Sequence, residues 1–233
     1  MRGETKWRYR FSIWLHVSEF HRNIHQQHHQ GDQMHTQHND QLYLNRVRRE
    51  KIVLGFDEMI QEHGGYGRDR YFLNFMFNHI RGSQAAKMDT MIAEVTRVHH
   101  ILTRHVVRRP NAEAWRHLRP IFIGCHDLPV WKHEKELVQN LVVNDGLHFN
   151  AVALLPRPAL TVMDIKLQFR IWGRQSRLKV PLQQHLWDKR RFYHNDALSR
   201  IHVTPITRGT MADYMLKTFK HVRVGPDSIQ VWN

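Results

Sequence analysis

Two rhythms of apolar positions run along the chain. Ala86, Met88, Ile92, Val95, Val98, Ile101, Leu102 and Val106 recur at helical spacing after Ser83, a capping residue, and the run stops before Pro110, which predicts a long helix. Five other stretches read as strands. Tyr71 to Ile80, YFLNFMFNHI, is dense in aromatics and flanked by glycines; Ile121 to Cys125 is a short apolar run. Leu147 to Leu155, LHFNAVALL, is apolar and follows the turn signal Asn144-Asp145-Gly146. Arg200 to Thr204 alternates, and Ser228 to Trp232 is a last short strand. Thr210 to Lys220 reads as a helix whose buried side is Met211, Met215 and Leu216. Leu42, Leu44, Val47, Ile52, Val53, Met59 and Ile60 carry a mostly helical rhythm from Asn39 and Asp40 toward Gly64-Gly65, and Lys132 to Val143 is a connection with some helical character. This order predicts an α+β fold, an antiparallel sheet with its helices on one face and strands 121–125 and 147–155 paired centrally.

The pattern weakens in two places. Residues 1–38 are biased to His and Gln, with His21, His25, His28, His29, His35 and His38 but few apolar anchors, and they read as a poorly ordered basic appendage. Those histidines lack the spacing of a tetrahedral metal site. Residues 39–233 then form a single domain. Within it, residues 156–199 are a basic connector in which Phe169-Arg170-Ile171-Trp172-Gly173-Arg174 interleaves arginines with aromatics. Such interleaving suits neutralisation of a nucleic-acid backbone together with base stacking, and it equally suits ordinary packing of Phe169 and Trp172. Arg170, Trp172, Arg174, Arg177 and Lys220 are the candidate DNA contacts. Arg46-Val47-Arg48-Arg49 is a second basic cluster, either a DNA contact or a solvated face.

Composition narrows the partner. Lys and Arg outnumber Asp and Glu 35 to 21 in 233 residues, a formal charge of +14, which points to a polyphosphate. No apolar run of transmembrane length is present and no basic amphipathic helix dominates, so no membrane partner is expected. The basic, mixed segment MRGETKWRYRFSIWLHV predicts no secretory leader. The single cysteine, Cys125, excludes an internal disulfide framework and a cysteine-based zinc site, and fits a reducing, cytoplasmic setting.

Two constellations carry chemistry. On a strand, residues two apart share a face, so His148 and Asn150 lie side by side on an otherwise apolar stretch. A polar pair there calls for a partner such as a metal ion or a phosphate, unless His148 is simply the strand's wet end. On the late helix Tyr214 and Lys217 are three apart and share a face. An ammonium beside a phenol favours the phenolate, a nucleophile toward phosphorus, although a surface Tyr and Lys at this spacing are common.

Taken together, three segments resemble the motifs of the HUH single-strand endonuclease superfamily, which includes rolling-circle replication initiators and related transposases. Tyr71-Phe72-Leu73-Asn74-Phe75-Met76-Phe77 resembles the aromatic first motif. His148-Phe149-Asn150 resembles the His-hydrophobic-His metal motif, with Asn in the second place. Asp213-Tyr214-Met215-Leu216-Lys217 is similar to the nucleophile helix in its single-tyrosine form. The resemblance spans roughly 71 to 232 and implies a ferredoxin-like sheet and metal-dependent nicking and joining of single-stranded or locally melted DNA. Tyr214 would attack in line to leave a 5′-phosphotyrosine and a free 3′-hydroxyl, with Lys217 positioning the phosphate and the phenol. One imidazole plus oxygen donors suits Mg²⁺ or Mn²⁺ better than zinc. His148 and Asn150 are the expected ligands, with Asp145 as the nearby carboxylate and Glu136 or His202 as alternatives. Initiation of rolling-circle replication on a plasmid, phage or similar element is the expected role, with an HUH-type transposase or a non-catalytic DNA-binding protein of the same fold as alternatives. No P-loop of the G-x-x-x-x-G-K type is present, so any unwinding would need a separate helicase.

Overall fold

In the computed structural model, residues 34–64, 67–128 and 143–233 are described, and for residues 34–43, 143 and 145 the backbone alone. The chain divides into two compact units, Met1–Asn45 and Arg46–Asn233. His21, His25, His28 and His29, and the connection Lys132 to Val142 with Glu136, lie outside the described residues. So do the side chains of His35, His38 and Asp145.

A helix, α1 (Met34–Gly64), leads to β1 (Arg68–Phe77), the long helix α2 (Gln84–Val106) and β2 (Ile121–Asp127). After a single 3₁₀ turn at Val143–Gly146 come β3 (His148–Pro156), three helices α3 (Val162–Trp172), α4 (Leu182–Asp188) and α5 (Arg190–Tyr193), and β4 (Leu198–Pro205). Two four-residue helices, α6 (Ala212–Met215) and α7 (Lys217–Lys220), precede β5 (Ile229–Trp232). The sheet order is β4-β1-β3-β2-β5 with every pairing antiparallel. This is the expected α+β class with a central β3. No helix of the described residues is long and apolar enough to cross a membrane.

The local chemistry accounts for the elements. Ser83 caps α2 by accepting from the Ala86 N–H, and Met91, Val95, Val98, Leu102 and Val106 bury one stripe, all five 1% exposed or less. Thr161 and Asp164 close a capping box at the start of α3, and Gly173 ends that helix with φ +61°. Asn144, not a hairpin turn, sets the entry to β3. With φ 55° and buried, its side chain accepts from the Ile80 N–H at 2.7 Å and donates to the Asn78 carbonyl at 2.8 Å.

Alternation then sorts the strands into two faces. On one, Leu73, Phe75, Phe149, Ala151, Ala153 and Leu155 pack under α2, with Leu182, Leu186 and Tyr193 of α4 and α5. On the other, Phe72, Ile123, Cys125, Val152 and Leu154 pack against Val53 and Ile60 of α1 and Met215, Leu216 and Phe219 of α6 and α7. Helices therefore cover both faces, not one. The reason is in β2 and β3: they are apolar on both sides, and each side needs cover.

β2 leaves no room for a side chain at Gly124. A Cβ built there would lie 2.3 Å from Phe149 Cε1 and 2.8 Å from the Asn150 carbonyl oxygen. Gly55, inside α1, has nothing within 4 Å of the same position. We predict opposite signs in denaturant unfolding: Gly124→Ala lowers stability by about 1–3 kcal/mol through overpacking, whereas Gly55→Ala raises it by about 0.5–1 kcal/mol through helix propensity.

Candidate active site

The second face is built outward from one carboxylate. Asp127 ends β2, two residues beyond Cys125 on the same side, and antiparallel register places it opposite His148. Its side chain is 1% exposed and accepts from four donors. Lys217 Nζ reaches Oδ2 at 2.7 Å, His148 Nε2 at 3.0 Å and Asn150 Nδ2 at 2.9 Å, while Thr218 Oγ1 donates to Oδ1 at 2.9 Å. Thr218 Oγ1 in turn accepts from the Leu128 N–H. Asn150 is also held from its far side, where its Oδ1 accepts from Asn74 Nδ2 at 3.0 Å.

Electrostatics follow from this crowding. Burial alone would raise the Asp127 pKa, but the hydrogen bonds from His148, Lys217 and Thr218, with the His148 charge, outweigh it and hold the carboxyl at about 2. His148 moves the other way. Burial lowers its pKa, yet Nε2 faces Asp127 and Nδ1 faces the Gly146 carbonyl at 2.9 Å, and with both nitrogens against acceptors the net shift is upward. Lys217 is likewise kept charged, the Asp127 and Tyr214 contacts exceeding the effect of burial.

Tyr214 stands beside this network. Lys217 Nζ sits 4.5 Å from the centre of its ring, which meets Phe72 edge-on at 5.4 Å and is 46% exposed. The expected single helix around it is broken at Leu216 (φ −96°, ψ 14°), so Tyr214 and Lys217 belong to successive turns that still bring their side chains together. Met215 and Leu216 are buried as expected, but Met211 is exposed, because with φ 63° it precedes the helix instead of joining it. Beyond Asn74 the face opens toward β4, where His202 is paired with Asn74 and Arg200 with Met76, all on the side of Tyr214 and largely exposed.

The sequence-derived residues divide accordingly. Tyr214, Lys217, His148 and Asn150 gather here, and His202 lies one strand beyond Asn74. The carboxylate that lies beside His148 is Asp127, which the sequence pattern did not single out; the side chains of Asp145 and Glu136 lie outside the described residues. It escaped notice because the apolar run Ile121 to Cys125 ends before it, although alternation from Cys125 would have put it on this face. The connector residues are elsewhere. Trp172 packs against the α2 side of the sheet, the Arg174 guanidinium lies over Trp115 and donates to the Ala114 carbonyl, and Arg170 and Arg177 are exposed. Lys220 pairs with Asp213. Arg49 of the second basic cluster is structural, donating to the Phe219 and Val224 carbonyls at 2.7 and 3.2 Å.

No family model, no curated protein and no solved structure matches the chain. Whether a divalent ion fits is therefore a question for the residues. Among the described residues no three His, Cys, Asp or Glu side chains form a metal-holding group. The residues that could hold such an ion are His148 and Asp127, whose Nε2 and Oδ2 lie 3.0 Å apart, a spacing that equally serves the hydrogen bond between them. The His148 ring is already oriented by its Nδ1–H bond to Gly146, as metal-binding imidazoles commonly are. Asn150 turns its N–H to Asp127, so it holds the carboxylate in place, and the remaining positions would fall to water and phosphate oxygens.

The shifts fix a pH dependence. The raised His148 pKa gives stability that is full below the ordinary 6.5 and lost as pH climbs through the folded value. The lowered Asp127 pKa gives stability present above the ordinary 3.8 and lost as pH falls toward 2. The pairing contribution is thus greatest between about pH 4 and 6.5. In imidazole NMR titrations His148 should titrate above 6.5, and Asp127→Asn should bring it down and cost about 2–4 kcal/mol of unfolding free energy, by leaving two cations without their partner.

Proposed function

We propose that the protein nicks and rejoins single-stranded DNA through a covalent bond to Tyr214, in the manner of HUH endonucleases. The observation that carries this reading is the meeting on one sheet face of an exposed phenol, an ammonium at 4.5 Å from its ring, and an imidazole–carboxylate pair held by that same ammonium. The β-α-β-β-α-β order with strands β4-β1-β3-β2, a ferredoxin-like arrangement, supports it. So does the charge of +14, which suits a nucleic-acid substrate.

On this reading the Tyr214 oxygen attacks the phosphorus. The phosphorus–O3′ bond breaks, a 5′-phosphotyrosine forms, and the phenol's proton is balanced by the one taken up on the released 3′-hydroxyl. Attack by a 3′-hydroxyl reverses the step and joins strands, so the bond energy is conserved without a nucleotide cofactor. Lys217 neutralises charge on the phosphate oxygens and orients the phenol. His148 and Asp127 would hold Mg²⁺ or Mn²⁺, which supplies polarisation of the phosphate oxygens. Asn150, Asn74 and Thr218 are positioning residues that fix Asp127. Arg200 and His202 extend the exposed face along which a single strand would lie. The 3′-hydroxyl left by the cut is a primer, which suits initiation of rolling-circle replication, with unwinding supplied by a separate helicase.

The test is a covalent adduct. Incubated with labelled single-stranded oligonucleotides and Mn²⁺, the wild type should yield a protein–DNA species on a denaturing gel. Tyr214→Phe should yield none, and Lys217→Met should slow adduct formation about 10²–10³-fold, the scale of a lost charge-stabilising donor. An adduct formed as well by Tyr214→Phe would refute the assignment, and a wild type that binds single strands without forming any adduct would leave a binding protein in place of an enzyme.

A further inference from the structure

On the opposite face of the sheet, three side chains from three helices converge. His105 lies in the last turn of α2, His185 in α4 and Tyr193 at the end of α5. His105 Nδ1 and His185 Nε2 each lie 2.9 Å from the Tyr193 hydroxyl oxygen, and the two nitrogens are 3.3 Å from one another. We propose that His105, His185 and Tyr193 form a binding site for a divalent transition-metal ion of the zinc, cobalt or copper class, separate from the site around Tyr214.

Two hydrogen bonds satisfy the triangle when both rings are neutral: one imidazole donates to the Tyr193 oxygen and the Tyr193 hydroxyl donates to the other imidazole, which leaves the 3.3 Å edge between the two nitrogens without a proton. Neutral is the state in which these rings are held. Burial, then the charges of Lys189 and Arg177, lower the His105 pKa, while burial, then His105 and Lys189, bring His185 down to about 4. Neutral rings can turn both nitrogens to a metal once Tyr193 gives up its proton.

The dimensions suit such an ion. Bonds of about 2.0–2.1 Å in a tetrahedral site separate neighbouring ligand atoms by about 3.3 Å. The two nitrogens already have that spacing, and the oxygen needs to withdraw from each by about 0.4 Å. Two imidazoles select the later first-row metals over Mg²⁺ or Ca²⁺. Both rings are half-buried, so an ion can reach them and a water can complete the shell, and Tyr193 is fully buried. Burial holds the Tyr193 phenol protonated, so binding would have to ionise it and release one proton, which would offset part of the charge brought up against Lys189 and Arg177. The ion would clip the end of α2 to α4 and α5, a junction now made by the Tyr193 hydroxyl and by the Arg97 bonds to the Phe192 and Tyr193 carbonyls.

Paramagnetic mapping on the full chain reads this directly. Co²⁺ added below one equivalent to ¹⁵N-labelled protein near pH 7.5 should erase amide signals around residues 103–107 and 183–194, apart from any loss caused by the histidines of residues 21–38 or by His148. In His185→Ala the loss around 103–107 should disappear and the others remain. Tyr193→Phe, which keeps the buried ring, repeats the comparison if the first variant does not fold, and it should weaken Co²⁺ binding at least tenfold. Signals near 103–107 and 183–194 that stay sharp in the wild type overturn the proposal, as does broadening there that both variants retain.

Discussion

One buried carboxylate organises the second face of this protein. Asp127 is taken out of water at the end of β2, and a carboxylate there must be surrounded by donors. Four arrive, from both neighbouring elements: His148 and Asn150 from β3, Lys217 and Thr218 from α7. Helices of four residues have no stability of their own, so α6 and α7 are held by what they touch. Met215, Leu216 and Phe219 supply apolar anchorage, Arg49 takes the Phe219 carbonyl, and Asp127 takes the polar side. Where Tyr214 stands is in this sense decided by Asp127, through Lys217, which touches both.

The two-sided sheet decides what stays open. Because β2 and β3 are apolar on both sides, helices are drawn over the centre of each face. Edge strand β4 alternates, and its exposed Arg200, His202 and Thr204 attract no cover on the second face. The result is a polar shelf beside a packed one, with Asn74 and Asn150 on the seam. Phe72, packed beneath Tyr214, is the last apolar residue before the shelf begins.

The parts legible in the sequence were those with a strong period. The α2 stripe, the aromatic β1, the apolar β3 and the pairing of β2 with β3 all follow from alternation or helical spacing, and so does the shared face of His148 and Asn150. Three features escaped, each for a physical reason. The cover of both faces depends on α1 and α6–α7 packing against Val152 and Leu154, a tertiary choice that no local pattern states. Asp127 was hidden because a charged residue at the end of an apolar run reads as its boundary, whereas here it is the run's last member and is buried like the rest. The packing of Trp172 and Arg174 was not legible because aromatic and basic side chains suit a nucleic acid and a core equally well, and here the indole packs against the first core cluster and the guanidinium lies over Trp115.

Charge bookkeeping around Asp127 says more about the proposed chemistry than any single distance. One carboxylate faces the Lys217 ammonium and the His148 imidazole, whose protonated form it favours, each about 30% exposed while the carboxylate is hidden. Toward solvent the cluster therefore presents its basic side chains, which suits an approaching phosphodiester. On the proposed reading His148 and Asp127 would hold the divalent ion that polarises the phosphate, and Lys217, paired with Asp127 and already beside the Tyr214 ring, would be the charge closest to the phosphate as the phenol attacks it. On the proposed reading, the tight closure of this network is the resting arrangement of a site whose lysine is stored next to where it acts.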